Sequence, residues 1–570
     1  MLDSPAVTAS VSPEFKSRTG ALVASAIGVF VCLFSHLGAL GLVGPDEPRY
    51  AWIARSMAAT GDWVTPRLYG QPWFEKPILY YWAAAAGFRL HLSAEWAARL
   101  PSALAALAAA LVIGWLAQKY YGDSENPAPN SALLAPLVFA TSIGAIGFAR
   151  SAGPDMLFTA SLTLAMAAAA VIFLRAGILS GAVDAASPEK RHEALPLALF
   201  GASLGLGVLA KGPAAIVLAG GAVGIWALVT RNWRIAFRLA HPIAVFSFCI
   251  VALPWYVVCS LRNPDFIRVF IFEHNFERYL TPVFQHKQPF WFFIPILLLA
   301  LLPWTALLFP IAQDALRRRR EKYWTASPRF FFACWAFFPL LFFSFSQSKL
   351  PGYILPSIPP LSLLLAVALA RKMHSESRSH QRAAKWILAA VGATLVLSGG
   401  AAFHFMSRFP YGETYNPTYD ASFDLHKMLG YAAIIAVAGG TSVVVLAFFR
   451  PRVALFLSLS VVVALVEFAG LRVLPAFDPY LSARPHEAFL RRDLRPDRLF
   501  TFHLQRSWNY GLAFYFGREI PEWSPSDPDP ALVLTTRKGF DEIQKLGRFR
   551  GGLDESEVGI LYVPIHPAPR

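Results

Sequence analysis

The stretch Ala21–Ala51, ALVASAIGVFVCLFSHLGALGLVGPDEPRYA, decides how the rest of the chain is read. Ala21 to Val43 contains no Asp, Glu, Lys or Arg and is long enough for a bilayer, which needs roughly 20 apolar residues. Lys16 and Arg18 precede it and no small-residue cleavage site ends it, so it is expected to be an uncleaved first span rather than a signal peptide. Two carboxylates, Asp46 and Glu47, follow at once. Charges this close to a membrane core are costly and are usually paired or functional, which makes the end of this run the first place to look for a working surface.

Runs of the same kind recur as far as Leu474. They predict about thirteen spans, near 20–43, 95–117, 131–149, 155–175, 194–210, 213–229, 240–260, 290–312, 329–346, 352–370, 385–405, 428–449 and 453–474. Ile78 to Leu92 is apolar but too short to cross, and reads as re-entrant or interfacial. The chain is 55% hydrophobic and 15% charged, against about a quarter charged in a soluble protein, so lipid must solvate the apolar surplus. The fold class is therefore a polytopic α-helical membrane protein. Cys32, Cys249, Cys259 and Cys334 sit in apolar runs without a CxxC pair and read as small buried hydrophobes, not metal ligands or disulfides.

A net charge of +15 in a soluble chain would point to nucleic acid. Here the basic residues cluster in short segments between spans: Arg175, Lys190 and Arg191; Arg231, Arg234 and Arg238; Arg317 to Arg320 and Lys322; Arg371, Lys372, Arg378, Arg382 and Lys385; Arg450 and Arg452. With the N-terminus inside, all of these are inner loops, as the positive-inside rule requires. The expected division is a cytoplasmic tail, 1–19, a membrane domain, 20–475, with a first outer loop at 44–94, and an outer C-terminal domain, 476–570. In the last, Pro, Arg and Asp rise, and β-like runs such as Ala531–Thr536 and Val558–Val563 predict a small α/β unit.

The first outer loop reads GPDEPRYAWIARSMAATGDWVTPRLYGQPWFEKPILYYW. Tyr50, Ile53, Ala54 and Met57 have helical spacing, with Arg49 and Arg55 elsewhere on the wheel, which predicts an amphipathic helix on the membrane surface. Glu75 and Lys76 follow. Asp155 lies at the outer start of the fourth span, Lys211 between two spans, Glu273, His274, Glu277 and Arg278 in FEHNFERYL, and Lys349 and Tyr353 in SFSQSKLPGYILP. Each has a bland reading: Asp155 as a helix cap, Lys211 as a snorkelling side chain, His274 as a loop histidine, Glu47 as a balance for nearby arginines. Together they put carboxylates and cations from separate outer segments on one side of the bundle, a mix suited to an anionic, lipid-borne group.

PDEPRYA, GDW, FEKP, LAKG, EHNFERY, PFWFFIP and SKLPGYILP occur in this order between Leu42 and Leu365. This series resembles the bacterial membrane glycosyltransferases of the aminoarabinose transferase and protein O-mannosyltransferase type. The resemblance implies a GT-C fold and transfer of a sugar from a polyprenyl-phosphate donor, typically undecaprenyl phosphate, at the periplasmic face of the inner membrane. Carried over, Asp46 and Asp155 are the catalytic carboxylates. Arg49, Lys76, Lys211, Arg278, Lys349 and Tyr353 hold the donor phosphate, and Glu75 and His274 have the chemistry for a divalent ion, although two distant ligands are a weak metal signal. No nucleotide site is expected, and no Walker-type P-loop occurs in the chain. Pro48, Gly352 and the GPDM form around Asp155 depart from the aminoarabinose branch, which bears on the sugar and acceptor. The expected function is inverting glycosyl transfer to lipid A or another envelope glycolipid. A protein O-mannosyltransferase is the alternative within the class, and a lipid-linked sugar flippase the alternative outside it.

Overall fold

The computed structural model describes residues 13–122, 128–175, 193–277, 288–318, 324–408, 421–494, 498–527, 531–549, 554–556 and 559–565. Each of the thirteen expected segments coincides with helix. Eight are long, apolar helices: Ala94–Tyr121, Asp155–Phe173, Ala194–Lys211, Pro242–Arg262, Pro351–His374, Arg378–Phe405, Leu425–Phe449 and Pro451–Leu481. Two are bent pairs, Ser131–Ala140 with Ile143–Ala149 at 65° and Phe290–Ala300 with Trp304–Gln313 at 112°. Thr19–Phe34, Ala214–Thr230 and Pro328–Ser344 are shorter apolar helices. The Asp155–Phe173 helix is almost wholly buried and forms the middle of the bundle, whereas most of Pro242–Arg262 faces outward with Phe246, Ile250 and Val257 exposed. Such apolar outer faces are what lipid solvates.

The short apolar stretch after the first loop is the Leu79–Arg89 helix. Its 11 residues reach only about 16 Å. It packs between the Asp46–Thr60 and Ala94–Tyr121 helices, with Tyr80 donating to the Ala98 carbonyl at 2.8 Å.

The Asp46–Thr60 helix begins with Asp46 and Glu47 in its first turn, where their charge favours the positive end of the helix dipole. It ends at Gly61, whose φ of 74° lets its N–H return to the Met57 carbonyl at 3.0 Å. Tyr50, Ile53, Ala54 and Met57 are buried as the spacing required. The opposite face is covered too, which the sequence did not indicate. Arg49 is buried, and Arg55 lies on the C-terminal Arg506–Phe516 helix, donating to the Phe514 carbonyl at 2.8 Å and sitting 4.2 Å from the Phe514 ring centroid. The helix is thus enclosed between spans and C-terminal unit rather than lying with one face open.

Glu47 and Arg99 form the buried joint of this region. Arg99 Nη2 is 2.7 Å from Glu47 Oε2 and its Nε 3.3 Å from Oε1. The rest of the guanidinium donates to the carbonyls of Leu37, Leu40 and Gly41 at 2.6–2.7 Å. Glu47 in turn accepts from the N–H of Val43 at 2.8 Å and of Ala152 at 2.7 Å. One ion pair therefore ties the turn after the first helix, the start of the loop helix, the turn at Ala152 ahead of the Asp155–Phe173 helix and the Ala94–Tyr121 span.

The C-terminal unit contains a four-stranded sheet of Leu499–Phe502 (β3), Ala531–Thr535 (β4), Leu561–Ile565 (β6) and Asp554–Glu555 (β5), in the order β3-β4-β6-β5; β1 and β2 are the two-residue strands Arg67–Leu68 and Gln71–Pro72 of the first loop. Strands β3 and β4 are parallel, and the chain between them carries the Arg506–Phe516 helix, because parallel strands need a long crossover. The expected run at 531–536 is β4; the one at 558–563 is shifted toward β6. The unit is fixed to the membrane part through Arg484, which meets Asp478 at 2.7 Å, Glu95 at 3.2 Å and the Gly38 carbonyl at 2.9 Å. Tyr515 donates to Glu95 at 2.9 Å and accepts from the Leu42 N–H at 2.8 Å.

Two predictions follow from these contacts. Arg99→Met leaves Glu47 charged, buried and facing bare carbonyls, and is expected to lower stability by about 3–5 kcal/mol, read as a fall in the denaturation midpoint of the detergent-solubilised protein. His486 is buried, its Nε2–H donating to the Pro479 carbonyl at 2.9 Å and its Nδ1 accepting from Tyr562 Oη at 2.8 Å. Burial pushes this imidazole below its ordinary value. The unfolded chain therefore binds the proton first, so stability is full above the ordinary histidine value and is lost as pH falls through the depressed one. Amide exchange in β4 and β6 is expected to quicken on acidification below about pH 6.5, and His486→Gln is expected to flatten that dependence.

Candidate active site

Asp46, Lys76, Asp155, Lys211 and Tyr353, far apart in sequence, line one cavity of about 650 Å³ together with Glu75 and His274. Its remaining walls are largely aromatic and aliphatic, with Tyr50, Phe148, Phe158, Val217, Phe270, Phe342 and Phe343. The polar groups come from helix ends. Asp46 and Asp155 each start a helix, and Lys211 ends one. That placement explains how charges reach the cavity without crossing the apolar middle of a span.

The charges form two sets. Lys211 is bonded to Asp155 and lies 5.1 Å from the Tyr353 ring centroid and 5.7 Å from that of Phe158. In the other set, Arg49 Nη2 reaches Asp46 Oδ1 at 2.5 Å and Glu75 Oε2 at 2.9 Å, and Lys76 Nζ is 3.6 Å from Glu75 Oε1. The Arg49 side chain is 6% exposed, whereas that of Asp46 is 60% exposed. Burial alone would lower the Arg49 pKa, but Glu75, Tyr50 and Asp46 outweigh it and hold it above its ordinary value. Arg49 therefore stays charged, and Asp46 is tethered by one oxygen with the other end of its carboxylate open to the cavity.

A second cavity of about 910 Å³ adjoins the first. Asp46, Glu75, His274 and Leu350 line both. Asp46 therefore stands at the seam between two chambers.

Two of the expected cations stand elsewhere. Arg49 lines the second cavity only, because its guanidinium is drawn behind Asp46 by the two carboxylates and lies 5.5 Å from the Trp73 ring centroid. Lys349 lines neither cavity: its ammonium donates to the carbonyls of Ser346 at 2.5 Å and Gln288 at 3.1 Å. Arg278 lies outside the described residues. Among the described residues, no group of three or more His, Cys, Asp and Glu side chains is arranged to hold a metal ion, and Glu75 already faces Arg49 and Lys76. Phe148, Phe342 and Phe343 carry no sequence signal, since they lie in apolar runs like any other span. Tyr50 was read as a core residue of the loop helix, and it also borders the cavity.

The comparisons with known proteins agree with this architecture. A family profile described as dolichyl-phosphate-mannose-protein mannosyltransferase matches residues 23–270. The undecaprenyl phosphate-alpha-4-amino-4-deoxy-L-arabinose arabinosyl transferase of Edwardsiella ictaluri is 33% identical over 377 residues, 66% of this chain and 63% of the relative. That of Pseudomonas aeruginosa is 34% identical over 361 residues, 63% of this chain and 61% of the relative. The chain thus aligns with somewhat less than two thirds of the length of these relatives. Among solved structures, ArnT from Cupriavidus metallidurans bound to undecaprenyl phosphate superposes with a TM-score of 0.75 at 22% identity, over 96% of this chain and 98% of that one. The Archaeoglobus fulgidus oligosaccharyltransferase gives 0.50 at 12% identity, over 89% and 64%.

Helical bundle, enclosed loop helix and acidic cavity at the helix ends define a multi-pass inner-membrane protein of the GT-C fold. Within that fold the chain resembles the aminoarabinose transferases and the protein mannosyltransferases in sequence.

Gly352 offers a direct test of the cavity wall. A Cβ there would come within 2.7 Å of the Phe148 ring and 3.2 Å of Asp155 Oδ1. Gly352→Ala is expected to cost about 1–3 kcal/mol of stability through overpacking, measured by denaturation, and Phe148→Ala in the same chain is expected to recover most of it.

Proposed function

We propose that the chain is an inverting glycosyltransferase that takes a sugar from a polyprenyl-phosphate donor and passes it to lipid A or another envelope glycolipid at the periplasmic face. The observation that carries this is one cavity in which three carboxylates, Asp46, Glu75 and Asp155, and two lysines meet an aromatic wall. The relatives named for undecaprenyl-phosphate-linked aminoarabinose and the solved relative bound to undecaprenyl phosphate support the donor class. The basic inner loops support the sidedness.

Lys76 and Lys211 hold the donor phosphate and Tyr353 borders it. As the bond between anomeric carbon and phosphate oxygen breaks, its electron pair stays on the phosphate, where the two ammonium groups stabilise the charge. The acceptor oxygen approaches from the second cavity and forms the new bond on the opposite face, with Asp46 at the seam. For a phosphate acceptor, already ionised, Asp46 orients the nucleophile; for a hydroxyl it also takes the proton. Asp155 hydrogen-bonds the sugar once the donor phosphate draws Lys211 away. Arg49 fixes the Asp46 carboxylate instead of touching phosphate. A protein acceptor is the second reading, favoured by the family profile over 23–270, a stretch that contains Asp46, Lys76, Asp155 and Lys211.

The test is transfer of radiolabelled sugar from undecaprenyl phosphate by purified protein, offered envelope glycolipids and periplasmic proteins in separate arms. Asp46→Asn is expected to lower kcat by about 100-fold or more, and Lys76→Gln to raise the donor KM about tenfold. Label in protein alone selects the second reading. Donor crossing vesicle membranes with no acceptor labelled in any arm would mean a flippase.

A further inference from the structure

The second cavity has a feature that transfer chemistry alone does not require. Its inner wall is neutralised, since Arg49 meets both Asp46 and Glu75. Its outer wall carries three guanidinium groups from three segments: Arg262 at the end of the Pro242–Arg262 helix, Arg268 in the following turn, and Arg506, the first residue of the C-terminal Arg506–Phe516 helix. Arg262 has Asp62 at 3.6 Å, and Arg268 has Glu273 and, at 3.5 Å, Asp265. Arg506 differs. Among the described residues it has no carboxylate partner, and its polar contact is with Tyr510 Oη at 3.3 Å.

Arg506 is also held in register with Asp46. Tyr510, one turn on, lies with its ring centroid 5.8 Å from the Arg49 guanidinium and stacks at 6.4 Å on Tyr69. The far end of the same helix is bonded to Arg55 of the helix that Asp46 begins. A group gripped at Arg506 is therefore set at a fixed offset from the reacting seam.

Building on the transferase reading, we propose that the C-terminal unit selects the acceptor: Arg506 is a specificity-determining residue that binds a phosphate or other anion on the acceptor, distinct from the oxygen that attacks. A guanidinium fork matches phosphate in a bidentate way, and Arg506, with no carboxylate partner among the described residues, favours an anionic head group over a neutral one. The C-terminal unit is then part of the substrate site, beyond any role as a cover.

The experiment compares full-length wild type, Arg506→Gln and Arg506→Lys with diphosphorylated and monophosphorylated lipid A as acceptors. Arg506→Gln is expected to raise KM for the diphosphorylated acceptor about tenfold, to erase the preference over the monophosphorylated one, and to leave the donor KM unmoved; Arg506→Lys is expected to recover part of the preference. An unchanged preference in Arg506→Gln overturns the proposal, as does an equal loss with both acceptors together with a shifted donor KM. A second readout needs no turnover: thermal protection by diphosphorylated lipid A without donor, against protection by phosphatidylglycerol vesicles. Protection that depends on Arg506 and is specific to lipid A supports the proposal even if no transfer is found, in which case only the transferase reading falls. Equal protection by both lipids identifies a general lipid head-group seat and overturns it.

Discussion

The buried pair of Glu47 and Arg99 is the constraint on which the site depends. A charged pair out of water is stable only when its remaining hydrogen-bonding capacity is used. Here that requirement draws in the backbone of Leu37, Leu40, Gly41, Val43 and Ala152. Those residues lie in the turn after the first helix and in the turn ahead of the Asp155–Phe173 helix. Satisfying one ion pair thus sets the direction in which the Asp46–Thr60 helix leaves the first span. It also sets the position of the turn that presents Asp155. Glu47 carries the structural pairing, while its neighbour Asp46 lines both cavities.

The same economy governs the rest of the charge. Lys211 rests on Asp155, and Arg49 on Asp46 and Glu75. These two cations are matched within the fold, which lowers the cost of keeping them near an apolar bundle. An anionic substrate can replace a carboxylate as the partner of Lys211, so binding exchanges one pairing for another instead of creating a new buried charge. The C-terminal unit takes part through Arg484, Tyr515 and Arg55, which bind it to the same loop. The site is thereby enclosed by parts of the chain more than 400 residues apart, as the separations in these hydrogen bonds record.

Much of this was legible in the sequence. Runs of apolar residues account for the eight long apolar helices and the two bent pairs among the described residues, since a span is a local property of composition and length. The charged residues that interrupt those runs gave five of the polar residues lining the first cavity, Asp46, Lys76, Asp155, Lys211 and Tyr353, along with Glu75 and His274. The family resemblance implies Arg49 and Lys349 as phosphate ligands. The structure turns the first toward two carboxylates and the second toward two carbonyls. The spacing of Tyr50, Ile53, Ala54 and Met57 predicts a surface helix, yet its other face meets a helix from the far end of the chain.

The sequence by itself therefore determined that the protein is a helical membrane bundle with its chemistry at the ends of the helices. Hydrophobic run length and the cost of a charge in lipid need no partner to be read. Only the tertiary structure decided which charges face the cavity, which face each other, and where Asp46 stands between two chambers. Those outcomes depend on pairings between residues distant in the chain, and a side chain's charge does not say which partner will claim it.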